Sequence, residues 1–598
     1  MAILMKKKPF GKIISISGIE VTIDIDEEIY TRKLEQNITI EGHVEKLFVG
    51  TVGDIFLIGD PELKDTVHYA MFEEVKLVSD ERNPTKDKAI ITAKVIGYQD
   101  IENKNLCFRR GVGHYPRFDS SCYLLAPSEK KELFNIDGDN GTVIGKSSGM
   151  GNEEMAIDTN KFLSKHSVIL GSTGSGKSCT VASIIQKVLF KHRYSHIIFF
   201  DLHNEYSNAF ICEDDRYSVN KVTGNEFKLP YWLLSFEEFL SVFIGDINED
   251  KNTDGIRILK DTILELKVQQ HKEIEKEVGV IERININAPL YFDIEELLAN
   301  LQQKNEATIW VSDNKPAIVS GKYLKPQGNK NVKRQLDEGK VGEDKVNKFD
   351  DTYGKCNKII QKIKSVYADR RYSFLFDDKI GNSITLYTYL EQLLCIDKSP
   401  ENQKQMSILD LSTIPSEVLP TIIGILARIC FEYKTWDVDV TKIPLYLVFE
   451  EAQNYIPSNK GSTNKIAIDS ISKIAKEGRK YGISQLIISQ RPSDLCDSIV
   501  SQCSNFFVLR VTNPADQGFV KKVLPDHLES LTNMIPFFEN GECLIAGECV
   551  RIPSKVIIEK PDPTPNSNDV LFSEVWKKQV EDYLVEETVH RWWEIKNE

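Results

Sequence analysis

Between Ser167 and Ile185 the chain reads SVILGSTGSGKSCTVASII: an apolar run, a glycine-rich turn, then a helical pattern. Gly171, Gly176, Lys177 and Ser178 fit the spacing G-x-x-x-x-G-K-[ST]. Glycines let successive backbone N–H groups turn toward phosphate oxygens, helped by the positive end of the helix that follows. The candidate cradle is therefore Gly171, Ser172, Thr173, Gly174, Ser175, Gly176, Lys177, Ser178 and Cys179. Lys177 would reach the β- and γ-phosphates of a nucleoside triphosphate, and the Ser178 hydroxyl would coordinate Mg²⁺. Cleavage also needs a carboxylate near the metal and a group that activates water. PLYLVFEEAQNYIP supplies two acids at the end of an apolar strand, with Glu450 placed toward the metal and Glu451 toward water. After LIIS come Gln490 and Arg491 at a second strand end, where Gln490 could sense the γ-phosphate. Arg479, in EGRKYG, has no strand to aim it into its own site, which suits an arginine reaching a neighbouring subunit. DLHNEY sets Asp201, His203 and Glu205 after another strand, without metal-ligand spacing, and their role stays open.

Elements of the right kind surround these residues. HSVILG and HIIFFD read as strands flanking a helix, and MSILDLS, PLYLVFEE, ISQLIISQ and NFFVLRVT continue the pattern of a parallel α/β sheet. Ligands bind at the carboxyl ends of strands in such sheets. Before them, KIISISGIEVTIDID, VGTVGDIFLIGD and AIITAKVIGYQ alternate like the short strands of a small β-barrel. Between the sheet's two halves runs a long, charged stretch of helical period. It contains KYLKPQGNKNVKRQLDEGKVGEDKVNKFDD, whose composition suggests a mobile loop. The expected boundaries are 1–100 barrel, 101–157 connector, 158–228 first part of the core, 229–400 insertion, 401–560 second part of the core and 561–598 tail.

At 598 residues the chain should form three or four folding units. A hydrophobic share of 41% and a charged share of 27% are those of an ordinary soluble protein. The longest apolar stretch, Leu419 to Phe431, is interrupted and reads as a buried helix rather than a membrane span. Strand-like alternation follows MAILMKKKPFGKI where a secretory leader would have its apolar region. Eleven scattered cysteines without a C-x-x-C pair suggest reduced thiols and a cytoplasmic protein. A net charge of −14 argues against a uniformly basic nucleic-acid coat, but leaves room for a ring with a basic bore.

In order along the chain, LSKHSVILGSTGSGKS, FDLHNEY, ILDLS, LVFEEAQNYIP, AKEGRKYGISQLIISQRPS and NGECLIAGECVRIPSKVII resemble HerA, of the FtsK–HerA branch of P-loop proteins. The resemblance covers about Asp158 to Glu559. It implies a RecA-like core with an N-terminal β-barrel and an inserted helical bundle, and a homohexamer that moves double-stranded DNA with ATP and Mg²⁺. By position, Lys177, Ser178, Glu450, Glu451, Gln490 and Arg479 take the roles of phosphate lysine, magnesium hydroxyl, metal-side acid, catalytic acid, sensor and trans finger. Lys165 falls where the family tends to carry a basic residue near the nucleotide. Two departures are Glu450, where Asp is usual, and Gln453, where many relatives have His. The family also implies a partner docking on the barrel: a sirtuin-like NADase or a nuclease in antiviral defence, or a NurA-type nuclease in DNA-end resection. A contrasting expectation is a hexameric scaffold that activates its effector while ATP serves as a structural ligand. A conjugation or secretion motor would share the core but should carry membrane segments.

Overall fold

The computed structural model describes residues 9–25, 54–59, 66–80, 83–99, 108–113, 115–136, 138–148, 153–211, 217–245, 249–271, 284–319, 322–335, 341–349, 351–376, 385–396, 399, 403–458, 464–566, 572–577, 585 and 588–589. Residues 26–53 of the expected barrel and 590–598 of the tail lie outside them.

Alternation in the first segments becomes a barrel. Gly11–Ser17 and Glu20–Ile25 pair antiparallel, and Val21, Ile23 and Ile25 face inward while their neighbours face out. Ile55–Gly59, Val67–Asp80 and Asn83–Gln99 continue the sheet, and pairing of Glu20–Ile25 with Asn83–Gln99 closes it. The sixth staves is Ser121–Leu124, which sits between Gly11–Ser17 and Ile55–Gly59. This corrects the expected connector. Part of it completes the barrel, and Gly141–Ser147 and Glu154–Asp158 extend the core sheet instead. Short strands recruited from a distant segment carry too little periodicity to be assigned beforehand.

The core is an eleven-stranded sheet. Its parallel strands are labelled β1 Ser167–Leu170, β2 Ile197–Asp201, β3 Met406–Asp410, β4 Leu445–Phe449, β5 Ile483–Ser489 and β6 Asn505–Val508. A further parallel strand, Val219–Val222, lies beyond β3, and the order across the sheet is then β3, β2, β4, β5, β1, β6. All six labelled strands are buried throughout, as expected of a sheet covered on both faces. Helix α1, Lys177–Lys191, packs Val181, Ile184, Ile185 and Val188 on one face. Helices α2, Leu419–Trp436, and α3, Lys465–Glu477, cover the other. The apolar stretch in α2 is thus core, and no helix among the described residues is long and apolar enough to cross a membrane. Register puts Leu170 beside Ser489 and Phe200 beside Phe449, so the segments after β1, β2, β4 and β5 leave the sheet together.

The insertion contributes helices Glu249–Gln270, Ile294–Asn305 and Asn357–Ala368. The lysine-rich segment expected to be a mobile loop instead supplies Asn331–Gln335 and Val341–Lys348, which form a small sheet with Thr308–Trp310. Trp310, Ala317 and Val346 form a small apolar core for it. On its surface Arg334 pairs with Asp313 at 2.6 Å and Asp344 at 3.1 Å, and lies 5.0 Å from the centre of the Trp310 ring.

Candidate nucleotide site

The turn after β1 has the shape that its glycines permit. Gly174 and Gly176 sit at φ of 72° and 90°, where a side chain would be strained. A Cβ on Gly176 would also come within 2.9 Å of the Gly541 backbone nitrogen. Helix α1 begins at Lys177, so its first free N–H groups and positive end face the turn.

From that position Lys177 meets Glu451 at 3.1 Å, with both side chains under 10% exposed (8% and 7%). The two residues are 274 apart in the chain (451 − 177), and the sheet register brings them together. How Glu450 and Glu451 share one site is a backbone matter. Consecutive strand residues point to opposite faces, but Glu451 has left the strand with φ 46° and ψ 43°. That left-handed kink is costly for a non-glycine residue and leaves both carboxyls buried at the same edge. Glu450 accepts from the Leu202 N–H at 3.3 Å, and its carbonyl accepts from the Tyr455 hydroxyl at 2.7 Å. Burial, reinforced by Asp201, Glu205 and Glu451, holds the Glu450 carboxyl well above the usual carboxylate range.

The DLHNEY segment folds around its first residue. Asp201 accepts from the N–H groups of His203, Glu205 and Tyr206 at 3.3, 3.2 and 3.0 Å, which locks the turn. Glu205 then accepts from the Ser178 hydroxyl at 3.1 Å. The residue whose role the sequence left open is thus the acid touching the expected magnesium hydroxyl, while Glu450 is tucked toward β2. The Thr173 hydroxyl donates to Gln490 at 2.7 Å, tying the end of β5 to the phosphate turn.

Two expected participants lie elsewhere in the protomer. Arg479 is exposed in the turn before β5, and Lys165 precedes β1 and pairs with Glu548. Both occupy the amino edge of the sheet, a strand length from the phosphate turn. For β5 that is about 20 Å. Lys165 therefore does not meet the cradle of its own chain. Arg510 and Ser489 escaped sequence reasoning, and Gln453 stood out there only as a departure from the family. Arg510, just after β6, donates to the Gly174 carbonyl at 3.2 Å. Gln453 and Ser489 bond behind Glu451. The only signal for Arg510 was its position at the end of a buried strand, in NFFVLR.

The donor chemistry suits a magnesium triphosphate. Ser178, Glu205 and Glu450 offer only oxygen, as a hard cation requires. Among the described residues no group of three or more His, Cys, Asp or Glu is arranged to hold a metal ion by itself. The buried Ser175 hydroxyl in the cradle has no hydrogen-bond partner, and a side chain on Gly174 would meet open space.

Residues 141–430 match the family described as helicase HerA, central domain. The chain is 26% identical over 466 residues to the DNA double-strand break repair helicase HerA of Sulfolobus acidocaldarius, covering 77% of this chain and 78% of that one. It is 23% identical over 456 residues to the protein of the same name from Saccharolobus solfataricus, covering 75% and 74%. Among solved structures, VirB4 of Thermoanaerobacter pseudethanolicus superposes with a TM-score of 0.43 at 16% identity, over 71% of this chain and 98% of that one.

Proposed function

We propose that this chain is a HerA-type P-loop ATPase and that six copies join head to tail into a ring that draws duplex DNA through its bore. The observation that carries the reading is the pairing of Lys177 with Glu451 at one edge of the sheet while Arg479 waits at the other. Arg510 stands at the phosphate turn of its own protomer, and a second arginine, Arg479, joins the site when the amino edge of the next copy meets it. Repeating that heterologous contact generates a ring if the rotation closes.

In the resulting site the backbone of residues 171–179 and Lys177 hold the phosphates. Magnesium would sit on the Ser178 hydroxyl with Glu205 and Glu450 behind it, and would neutralise charge on the phosphate oxygens. Glu451 accepts the proton of the attacking water, Gln490 reads the state of the phosphate turn through Thr173, and Arg479 of a neighbouring copy stabilises charge on the transferred group. We further assign the ring a cytoplasmic role beside a partner enzyme, a sirtuin-like NADase or a nuclease, in defence against phage. The barrel is the proposed seat for that partner, because it is a closed unit fixed to the core. Arg110 donates to the carbonyls of Gly547 and Arg551 at 2.6 and 2.7 Å.

Replacing Glu451 tests the motor directly. Glu451→Gln should bind ATP with affinity near that of the wild type but lose roughly 10²- to 10⁴-fold in turnover. It should also fail to show DNA-stimulated hydrolysis. Wild-type turnover in that variant, measured as phosphate release, would overturn the assignment.

A further inference from the structure

Behind the catalytic acid runs a chain of hydrogen bonds whose direction is fixed at both ends. The Arg491 N–H can only donate, and it donates to Ser489 Oγ at 3.0 Å. The Ser489 hydroxyl therefore passes its own hydrogen on, to Gln453 Oε1 at 2.7 Å. That leaves the amide Nε2 of Gln453 facing a Glu451 carboxylate oxygen, Oε2, which can only accept. The other oxygen, Oε1, is the one held by Lys177. Each carboxylate oxygen thus has its own partner, and only one of those partners has other work to do. When phosphates enter the cradle, Lys177 turns to them and releases Oε1.

We propose that Gln453 is the positioning residue for Glu451 in ATP hydrolysis: anchored by Ser489, it keeps Oε2 fixed while Oε1 is handed from Lys177 to the attacking water. The inference rests on the hydrolytic role of Glu451 given above. It adds a reason for the kinked backbone at Glu451. The left-handed residue takes the chain off β4, and the amide two residues on reaches the Glu451 carboxylate. It also gives β5 a second hold on the site. Gln490 contacts the phosphate turn and Ser489 holds the amide that holds the acid, so one strand end braces both.

Gln453→Leu keeps the side chain's bulk and removes both the acceptor and the donor of its amide. In the full-length protein it should lower kcat roughly ten- to hundredfold, the cost of one hydrogen bond to a charged group. The KM for ATP and the Kd for a non-hydrolysable analogue should stay within about twofold, since Gln453 makes no contact with the cradle. Ser489→Ala should give a smaller loss of the same kind, and it carries the test alone if the leucine variant does not fold. Because the two residues act in series, the double variant should be no slower than Gln453→Leu. A kcat within twofold of wild type in both single variants, or an equal loss in nucleotide affinity, would overturn the relay. Glu451→Gln run alongside separates the two ideas. If it is inert while Gln453→Leu runs at full speed, the relay alone falls; if it turns over normally, the role of Glu451 falls with it.

Discussion

Glu450 is 1% exposed and shares its surroundings with Asp201, Glu205 and Glu451. Burial first, and then these carboxylates, raise its proton affinity in the folded state; Asp201 is raised in the same direction, again chiefly by burial. A carboxyl whose folded value lies above its unfolded one takes up protons on folding. It costs nothing below the ordinary glutamate value of about 4.3, and weakens the fold as pH rises from there toward the folded value. Glu450→Gln should therefore raise the melting temperature at pH 7 to 8, by roughly 2–4 °C for each kcal/mol recovered. The gain should shrink toward pH 4, and ATP turnover should fall even as the protein becomes harder to melt. Equal melting curves across that range would show that Glu450 carries no such cost.

Among the elements, the segment after Ser554–Ile558, the last strand of the core sheet, has an unexpected part. Residues 559–566 run back along α1 toward the acidic turn. The buried Gln186 side chain donates to the Pro563 carbonyl at 2.8 Å and to the Ala209 carbonyl at 2.6 Å, and it accepts from the Asp562 N–H at 3.1 Å. The Asn566 N–H then donates to the Glu205 carbonyl at 2.8 Å, on the residue that meets Ser178. Gln186→Ala leaves these groups unpaired and should cost about 1–3 kcal/mol in urea unfolding. It should also expose the chain beyond Glu559 to limited proteolysis. The sequence showed the phosphate turn, the two acids and the strands that lead into them, because buried parallel strands are apolar runs and the turn has a fixed spacing. PDPTP read only as a linker, since a strap held by one glutamine and backbone groups leaves no periodic trace. Arg510 and Ser489 were hidden for a related reason. Each belongs to the site through strand register, and register is set by pairing across hundreds of residues. Gln453 stood out as an unusual amide, yet its bond to Ser489 could not be inferred without the order of β4 and β5.

For the whole molecule, the proposed division of the site between two edges makes a prediction that no single protomer could satisfy. Lys177→Ala and Arg479→Ala should each abolish turnover, the first by losing the phosphate contact and the second by losing the neighbour's arginine. Mixed before assembly, the two inactive proteins should recover a part of the wild-type rate. Wherever a Lys177→Ala copy offers its intact arginine to an Arg479→Ala copy, one complete site is formed. No recovery in mixed rings, followed by phosphate release, would place Arg479 outside the chemistry. The sheet order also governs when the protein can first act during its synthesis. Strand β1 lies between β5 and β6, so it cannot be seated until residue 508 has been made, 338 residues after Leu170 (508 − 170). At about 5–20 residues per second, the nascent chain carries its phosphate-binding segment for roughly twenty seconds to a minute before neighbouring strands can shape it. Translation that stops early thus yields an inert fragment rather than an unregulated consumer of ATP.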